Sequence, residues 1–323
     1  MQRRRALFGL AALPLVAGGA AAQADKPVTI VVPYAPGGTT DLLGRLLARE
    51  MGALLGRTMV VENKPGAGSG LGASFVARAP ADGNTLLVAT STTLAINPWL
   101  YRRLSYDPLR DFAPVGMIGA VPLLAVVHPS VPAANLRELV ALSKSQPERL
   151  SYGSAGNGSP QHLAVEMLKA ATGASLIHVP YRGSGPAVGD LLAGQIQVML
   201  SDIPPVLAHV RSGRLRALAV TSAQRQPAIQ EVAPIAESGV PGTSGFLAMA
   251  WQSLVAPAGT PEDVVAKYAS ALARVMNQRA IRARLLAEGF EPATMPPQAL
   301  AAYIRSETVR WGEVVKAAGM TPE

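Results

Sequence analysis

From residue 25 onward, short runs of apolar, β-branched residues alternate with longer amphipathic segments. The first unit is VTIVVPYAPGGTTD at residues 28–41, followed by LLGRLLAREMGALL. Pro33 ends the apolar run, and the Gly37–Gly38 pair allows a turn before a helix. The candidate caps of that helix are Thr39, Thr40 and Asp41. Strand, turn and helix in this order predict parallel strands covered by helices, and therefore an α/β fold.

The same alternation occurs twice along the chain, which predicts two lobes. Strands predicted at residues 28–32, 59–61 and 85–90 belong to the first series, and those at 150–152, 177–179 and 196–200 belong to the second. Residues 91–100 are interpreted as a polar strand end leading into irregular chain. Apolar segments at 115–127 and 247–255 are interpreted as two crossings between the lobes. We predict one lobe from residues 25–122 with 248–323 and the other from 123–247, the layout of a cleft-binding protein that closes by a hinge.

The first 24 residues have the pattern of an export signal. Three arginines at positions 3–5 precede a short apolar run, and Ala22-Gln23-Ala24 forms an A-x-A cleavage site. An uncleaved membrane anchor is the alternative, but Pro14 and two glycines interrupt the run. Cleavage after Ala24 would place the mature chain outside the cytoplasm, whereas the Sec or twin-arginine route stays open.

Composition excludes several classes of function. The chain contains no cysteine, so thiol chemistry, thiolate metal sites and disulfides are excluded. Without the leader, 26 Lys and Arg face 21 Asp and Glu, and these charges are scattered along the sequence. No basic block marks a nucleic-acid surface, no His, Asp and Glu spacing suggests a metal site, and we expect no cofactor and a monomer.

Two glycine-containing loops follow predicted strands, one in each lobe. The loop at residues 36–41 offers the backbone N–H groups of Gly38 and Thr39, where a helix N-terminus favours anions. A plain helix cap would use the same residues. The loop at residues 154–159 lies in an equivalent position in the second lobe. Because open α/β sheets bind ligands at strand carboxyl ends, the two loops are predicted to bind a dicarboxylate from both sides.

Other motifs keep two interpretations each. Residues 63–73 include a loose glycine fingerprint for a dinucleotide, but the preceding loop is too long for a tight turn, which favours a structural role. His162 follows the second loop and can orient a ligand or pack in its helix, and a Ser154–His162 dyad is conceivable although no G-x-S-x-G motif is present. Asp202 ends a strand, where it can favour a ligand ammonium group or cap a helix. Trp251, in the return crossing, can form a wall of the cleft or pack in the hinge.

A series of motifs in this order resembles the Bug family of extracytoplasmic solute receptors, the binding components of tripartite tricarboxylate transporters. The motifs are VPYAPGGTTD, VVENKPGAGSGLGA, YGSAGNGSPQHLA, HVPYRGSGPAVGDLLAGQI, SGRLRALAVTSAQR, LVAPAGTP and WGEVVKAAG. They cover essentially the whole mature chain. The turn at residues 81–84 departs from the family pattern, and Ser201-Asp202 lies where members vary.

The resemblance implies a periplasmic binding protein of type II, a Venus flytrap without catalytic activity. Each lobe would be a mostly parallel sheet flanked by helices. The protein would hold a di- or tricarboxylate, an amino acid or an aromatic acid, and its closed form would dock on the permease subunits in the membrane. The ligand-binding residues implied are Tyr34, Pro36, Gly37, Gly38, Thr39, Thr40, Asp41, Thr90, Ser91, Thr92, Ser154, Gly156, Asn157, Gly158, Ser159, His162 and Asp202.

Two other functions stay open on the residues. A ligand sensor for a signalling receptor would need the same cleft, and an exported hydrolase would use Ser154 with His162. Neither loop contains a lysine or arginine, so the positive field is expected to come from helix N-termini, with Arg182 as the nearest basic candidate.

Overall fold

The first lobe begins with the predicted parallel unit. The computed structural model describes residues 26–320, and the predicted leader at residues 1–24 lies outside them. The first elements are β1 (Val28–Val32), α1 (Thr39–Leu55), β2 (Met59–Asn63), α2 (Gly70–Ala77) and β3 (Thr85–Thr90). Strand β1 pairs in parallel with both β2 and β3, which confirms the βαβαβ arrangement.

Residues 92–100 are helical, so the prediction of irregular chain there was wrong. A π-helical turn over Thr92–Ile96 leads into α3 (Asn97–Leu100), whose first turn contains Pro98. Proline is tolerated there because its missing N–H would have no helical partner. The Tyr106 hydroxyl donates to the carbonyl of Thr93 at 2.7 Å. A long-range contact thus stabilises a wide turn that sequence periodicity does not indicate.

The second lobe repeats the alternation after a long strand, β4 (Phe112–Val127). Its elements are α4 (Leu136–Ser145), β5 (Ser151–Ser154), α5 (Pro160–Thr172), β6 (Ile177–Pro180), α6 (Ser184–Leu192), β7 (Val198–Asp202), α7 (Ile203–Arg211) and β8 (Arg216–Val220). Strand β5 pairs in parallel with β6 and β7. The chain then returns through β9 (Met249–Pro257), α8 (Glu262–Met276), α9 (Arg279–Ala287), β10 (Glu291–Pro292) and α10 (Pro297–Ala317).

Strand β4 belongs to both lobes. Up to Pro122 it pairs antiparallel with β9, and from Leu123 it pairs with β7 and β8 instead. The first sheet runs β2-β1-β3-β9-β4 with β10 on β4, and the second continues from β4 through β7, β5 and β6. The two-lobe α/β fold is thereby confirmed, with mixed sheets because β4 and β9 run antiparallel to their neighbours. The lobe boundaries at residues 122 and 248 stay a prediction, which this exchange of partners supports.

Successive side chains of the central strands point alternately into hydrophobic cores on the two faces of each sheet. In β3, Leu86 and Val88 face the core beneath α1 and α8, whereas Leu87 and Ala89 face the core beneath α2 and α10. The second part of β4 alternates in the same way between two cores of the second lobe. Because successive strand side chains point to opposite faces, helices on both faces require continuous apolar runs. No helix within residues 26–320 is long and apolar enough to cross a bilayer.

Trp251 packs in the core of the first lobe. It is 1% exposed, and its ring meets Tyr303 of α10 edge to face at 5.4 Å. Its indole N–H donates to Glu307 at 2.8 Å, and the same carboxylate accepts from Trp311 at 3.1 Å and from Arg310 at 2.7 Å. Of the two interpretations of Trp251, packing near the crossing fits its position. Glu307 therefore fixes α10 on β9.

Replacing Glu307 with Ala should destabilise the fold. The variant leaves two buried indole N–H groups and one guanidinium without their acceptor, which costs about 3–5 kcal/mol. Urea unfolding measures this free energy. Glu313→Ala, on an exposed position of the same helix, is the matched control and should stay within about 0.5 kcal/mol of the wild type. Equal losses in both variants would contradict the assigned role of Glu307.

Candidate ligand-binding cleft

A narrow cleft lies between the lobes at the carboxyl ends of their strands. The space between its atoms, counted together with the open solvent at its mouth, is about 380 Å³. Its lining residues are Tyr34, Gly38, Thr39, Thr40, Asp41, Thr90, Ser91 and Thr92 from the first lobe, Ala155, Pro160, Gln161, Ser184 and Asp202 from the second, and Ala250 and Gln252 on β9. This position agrees with the general placement of ligands in open α/β sheets.

The start of α1 forms one wall of the cleft. The capping residue is Gly38, which offers no side chain, so the prediction that Thr39, Thr40 or Asp41 caps the helix was wrong. The Asp41 carboxylate instead accepts from the Gly37 N–H at 3.1 Å and from Arg45 at 3.0 Å. Burial alone would raise the pKa of Asp41, but hydrogen bonds from Arg45, Asn63 and Gly37 outweigh it and lower the pKa. The first turn of α1 therefore faces the cleft with its backbone N–H groups uncapped by any side chain.

The end of β3 supplies hydroxyl groups. The Tyr34 hydroxyl lies 3.2 Å from that of Thr90, and burial raises the pKa of Tyr34, so the phenol stays neutral. Gln252 lies opposite Thr90 in the register of β3 and β9. These strands thus place Ser91, Thr92 and Gln252 on the floor of one cleft.

Asp202 forms the facing wall. It holds the N-cap position of α7, but its side chain makes no capping hydrogen bond. The residue is 4% exposed, and its carboxylate accepts from Gln161 Nε2 at 2.9 Å. Burial raises its pKa to about 6, against the lowering effect of Thr39 and Gln161. The Thr39 hydroxyl is near enough to influence Asp202 without meeting full hydrogen-bond geometry.

Five buried polar atoms of this cleft have no hydrogen-bond partner among the described residues. They are Thr39 Oγ1, Ser91 Oγ, Thr92 Oγ1, Gln161 Oε1 and Gln252 Oε1. Each such atom costs about 1–3 kcal/mol when it is removed from water without a partner. Since buried polar groups in folded proteins are almost always satisfied, their convergence on one cleft indicates a polar ligand or bound water there.

The second glycine-serine loop lies beside the cleft rather than along it. Ala155, Pro160 and Gln161 line the cleft. The predicted residues outside the lining are Pro36, Gly37, Ser154, Gly156, Asn157, Gly158, Ser159 and His162. The Gly156 N–H donates to Ser154 Oγ at 3.1 Å, and Ser159 caps α5 by accepting from the His162 N–H at 3.3 Å. These groups shape the loop that carries the lining residues.

The proposed Ser154–His162 dyad is absent from the described residues. Ser154 Oγ pairs instead with His178 Nε2 at 2.7 Å, while His162 Nδ1 accepts from the Gly158 N–H at 3.1 Å. The two imidazoles stack at 3.9 Å between centroids, and Tyr152 stacks on His178 at 4.9 Å. Burial lowers the pKa of both histidines, and proximity to His162 helps to bring that of His178 to about 3. Neutral, stacked rings therefore support the loop.

The lobes meet directly at the rim of the cleft. The Ala35 N–H donates to the Arg182 carbonyl at 2.9 Å, so Arg182 contributes its backbone to the rim and its side chain is not among the lining. A side chain at Gly185 would overlap the carbonyl oxygen of Pro36. On the other side, a side chain at Gly158 would overlap Leu100. Glycines thus permit close approach of the two lobes.

Sequence reasoning missed several lining residues. They are Ala155, Pro160, Gln161, Ser184, Ala250 and Gln252. Gln161 follows the glycine-serine loop directly, and Ser184, within PYRGSG, is the first residue of a helix, so a helix N-terminus was the available signal. Gln252 lies inside an apolar strand, where one polar residue on a buried face was the only sign.

His178→Gln should reduce the acid sensitivity of the fold. Because the folded-state pKa of His178 is depressed, the unfolded chain binds a proton below about pH 6.5 that the folded chain rejects until about pH 3, so stability is lost as the pH falls through this window. Between pH 6.5 and 5.5 the wild type should lose about 1 kcal/mol more than the variant in urea unfolding. The raised pKa of Asp202 changes the unfolding free energy with pH in the opposite direction. This contribution is the same in the wild type and the variant, so it cancels in their difference. His128→Gln, outside the stack, is the control, and parallel pH profiles for H178Q and wild type would refute the assignment.

Gly185→Ala should separate the lobes at the rim. The added methyl group meets the Pro36 carbonyl, so the Ala35 N–H should lose its partner and exchange with solvent about 10-fold faster or more. Amide exchange followed by NMR measures this. Gly189→Ala, on the same helix with no atom within 4 Å of the added carbon, is the matched control. Unchanged protection of Ala35 in G185A would show that this contact does not constrain the lobes.

Comparisons with known proteins agree with this architecture. The family model described as tripartite tricarboxylate transporter family receptor matches residues 43–320. BugT of Bordetella pertussis (strain Tohama I) is 36% identical over 295 residues, or 91% of this chain and 90% of BugT. An R. palustris protein solved with adipate has a TM-score of 0.89 at 36% identity, covering 92% of this chain and 98% of that chain. MatC from Rhodopseudomonas palustris, solved with bound malate, has a TM-score of 0.83 at 34% identity and covers 90% and 98%.

These proteins are solute-binding proteins and not enzymes, which confirms the prediction of no catalytic activity. The hydrolase alternative is therefore wrong, in agreement with the geometry of Ser154 and His162. The family model spans most of the chain, and relatives above 30% identity cover about nine-tenths of it. This chain belongs to the TctC family of tripartite tricarboxylate transporter receptors, which includes the Bug proteins.

Proposed function

We propose that this protein is a periplasmic receptor that captures a small carboxylate in the cleft between its lobes and delivers it to a tripartite tricarboxylate-type transporter. The observation that carries the proposal is the set of three buried hydroxyl groups in the cleft that lack a hydrogen-bond partner among the described residues, those of Thr39, Ser91 and Thr92. A carboxylate accepts hydrogen bonds from hydroxyl and backbone N–H donors, and hydrogen bonds to a charged group are worth about 1.5–3 kcal/mol each. Relatives solved with adipate and malate support the ligand class.

The binding mechanism uses dipoles in place of basic side chains. No lysine or arginine is among the described residues that line the cleft. The N-terminal turns of α1 and α6 approach one another there, with Gly38 and Ser184 in near contact. Helix N-termini carry partial positive charge, and exclusion of water by the joined lobes strengthens the attraction. A ligand that prefers the joined lobes would shift the population towards them.

Export and delivery rest on separate observations. The A-x-A site at residues 22–24 and the apolar run before it support cleavage after Ala24, and the family consists of periplasmic receptors.

We propose that the closed protein, as a monomer, then docks on the permease subunits. Uptake, in a strain lacking this gene, of whichever labelled carboxylate stabilises the purified protein tests delivery. Restoration of uptake by the full chain is the expected result, and uptake that does not depend on the protein contradicts delivery.

Gly38→Val should abolish carboxylate binding while the fold is retained. A carbon added at Gly38 would lie 3.4 Å from the Ser184 side chain, and the two further methyl groups of valine would fill the gap between the helix N-termini. Thermal shift against malate, adipate, citrate, aspartate and benzoate is the measurement. The control is Gly189→Val, which has open space around it. Ligand-dependent stabilisation of G38V equal to that of the control would contradict carboxylate binding at this site.

A further inference from the structure

The cleft contains an uncompensated carboxylate. Its lining includes two acids, Asp41 and Asp202. Asp41 is paired with Arg45 at 3.0 Å, which balances its charge. Among the described residues, Asp202 has neutral neighbours only, its hydrogen-bond partner Gln161 and the nearby Thr39. A ligand carrying only carboxylates would place like charges together, and in a buried site that repulsion is costly.

The groups next to Asp202 are acceptors that lack donors. Gln161 is 4% exposed, and its Nε2 donates to Asp202, which fixes the amide orientation and leaves Oε1 as a buried acceptor without a donor among the described residues. The Oε1 atom of Gln252, a residue 2% exposed, is unpartnered in the same cleft. A carboxylate cannot supply a proton to these oxygens, whereas an ammonium group supplies three N–H donors.

The donor groups of the cleft lie close to these acceptors. Thr39, in the first turn of α1, is near enough to Asp202 to lower its pKa. Gln161 Nε2 lies 3.5 Å from Ser184 Oγ, at the start of α6. The two helix N-termini that favour a carboxylate therefore adjoin the acceptors that favour an ammonium group. This adjacency matches a ligand whose two charged groups sit on one carbon atom.

We propose that the ligand is an α-amino acid, whose carboxylate lies at the N-termini of α1 and α6 and whose ammonium group contacts Asp202, Gln161 Oε1 and Gln252 Oε1. This proposal rests on the proposed function and narrows its ligand class. Asp202 then acts as the residue that distinguishes amino acids from the same acids without the amino group.

The protonation state of Asp202 decides between two ligand classes, amino acids and dicarboxylates. Of the described groups around it, Tyr34 at the end of β1 and Asp41 on α1 are titratable, and Gln161 and Thr39 are polar. Burial raises the pKa of Asp202 to about 6. An ionised Asp202 attracts an ammonium group, and that attraction is lost as the pH falls through 6. A protonated Asp202 would instead donate to a second carboxylate, so binding of dicarboxylates would strengthen over the same window.

Calorimetric titration of the mature protein, residues 25–323, with matched ligand pairs tests the proposal. The pairs are L-aspartate with succinate, L-glutamate with glutarate, and L-leucine with 4-methylpentanoate, each at pH 7.5 and 5.0. At pH 7.5 at least one amino acid should bind about 10- to 100-fold more tightly than its partner. That advantage should shrink at pH 5.0 and disappear in Asp202→Asn. Asp190→Asn, a carboxylate of the second lobe outside the lining, is the control.

The titration distinguishes failure of the amino-acid proposal from failure of the carboxylate-receptor function. If the acids without an amino group bind at least as well at pH 7.5 and bind more tightly at pH 5.0, the inference is wrong and the receptor function stands. If no compound of either series binds, the inference is wrong, and the proposed function fails as well if malate, adipate, citrate and benzoate also leave the protein unstabilised. Should D202N unfold, the pH dependence of the wild type tests the same carboxylate without a substitution.

Discussion

The hydrogen bonding of β4 is the constraint on which the rest of the structure depends. A strand of 16 residues must satisfy its backbone groups along its whole length, and β4 does so by exchanging β9 for β7 and β8 near Pro122. Two sheets are thereby joined through one continuous strand, with their carboxyl ends facing a common cleft. The same strand alternates its side chains between cores, so the lobes are built outward from it. The position of the cleft follows from this pairing.

The cleft combines close contact between the two lobes with buried polar atoms that lack hydrogen-bond partners among the described residues. Glycines at the rim let the lobes approach, and a single methyl group at Gly185 would meet backbone. Inside, hydroxyl and amide oxygens are removed from water without partners. Such an arrangement is unfavourable in isolation and becomes favourable when a polar ligand supplies the missing hydrogen bonds. The cleft thus favours the ligand-bound protein through helix and hydroxyl dipoles, and of the two acids in its lining only Asp202 lacks a basic partner among the described residues.

The sequence predicted those features that depend on local pattern. The unit at residues 28–41 combines a β-branched run, a proline, two glycines and a polar helix start, and each of these acts within a few residues. It therefore predicted β1, the turn and α1, although the glycine rather than a threonine is the cap. The two crossings were predicted from apolar runs that match β4 and β9. Motifs in a fixed order predicted the family.

Features that depend on contacts between distant residues could not be predicted in this way. Ser154 meets His178 because β5 and β6 are neighbouring parallel strands, whereas the nearer His162 was the natural guess from spacing. Gln252 faces the cleft because of its register opposite Thr90, and its position inside an apolar strand conceals this.

Binding of a carboxylate at the N-termini of α1 and α6 is tested most directly by NMR titration. The measurement is the change in the backbone amide shifts of Gly38, Thr39 and Ser184 on addition of a carboxylate that stabilises the protein. We expect large downfield proton shifts for these amides, because a charge-assisted hydrogen bond deshields the donated proton. Saturable binding that leaves these three amides unchanged while shifts occur elsewhere would contradict it.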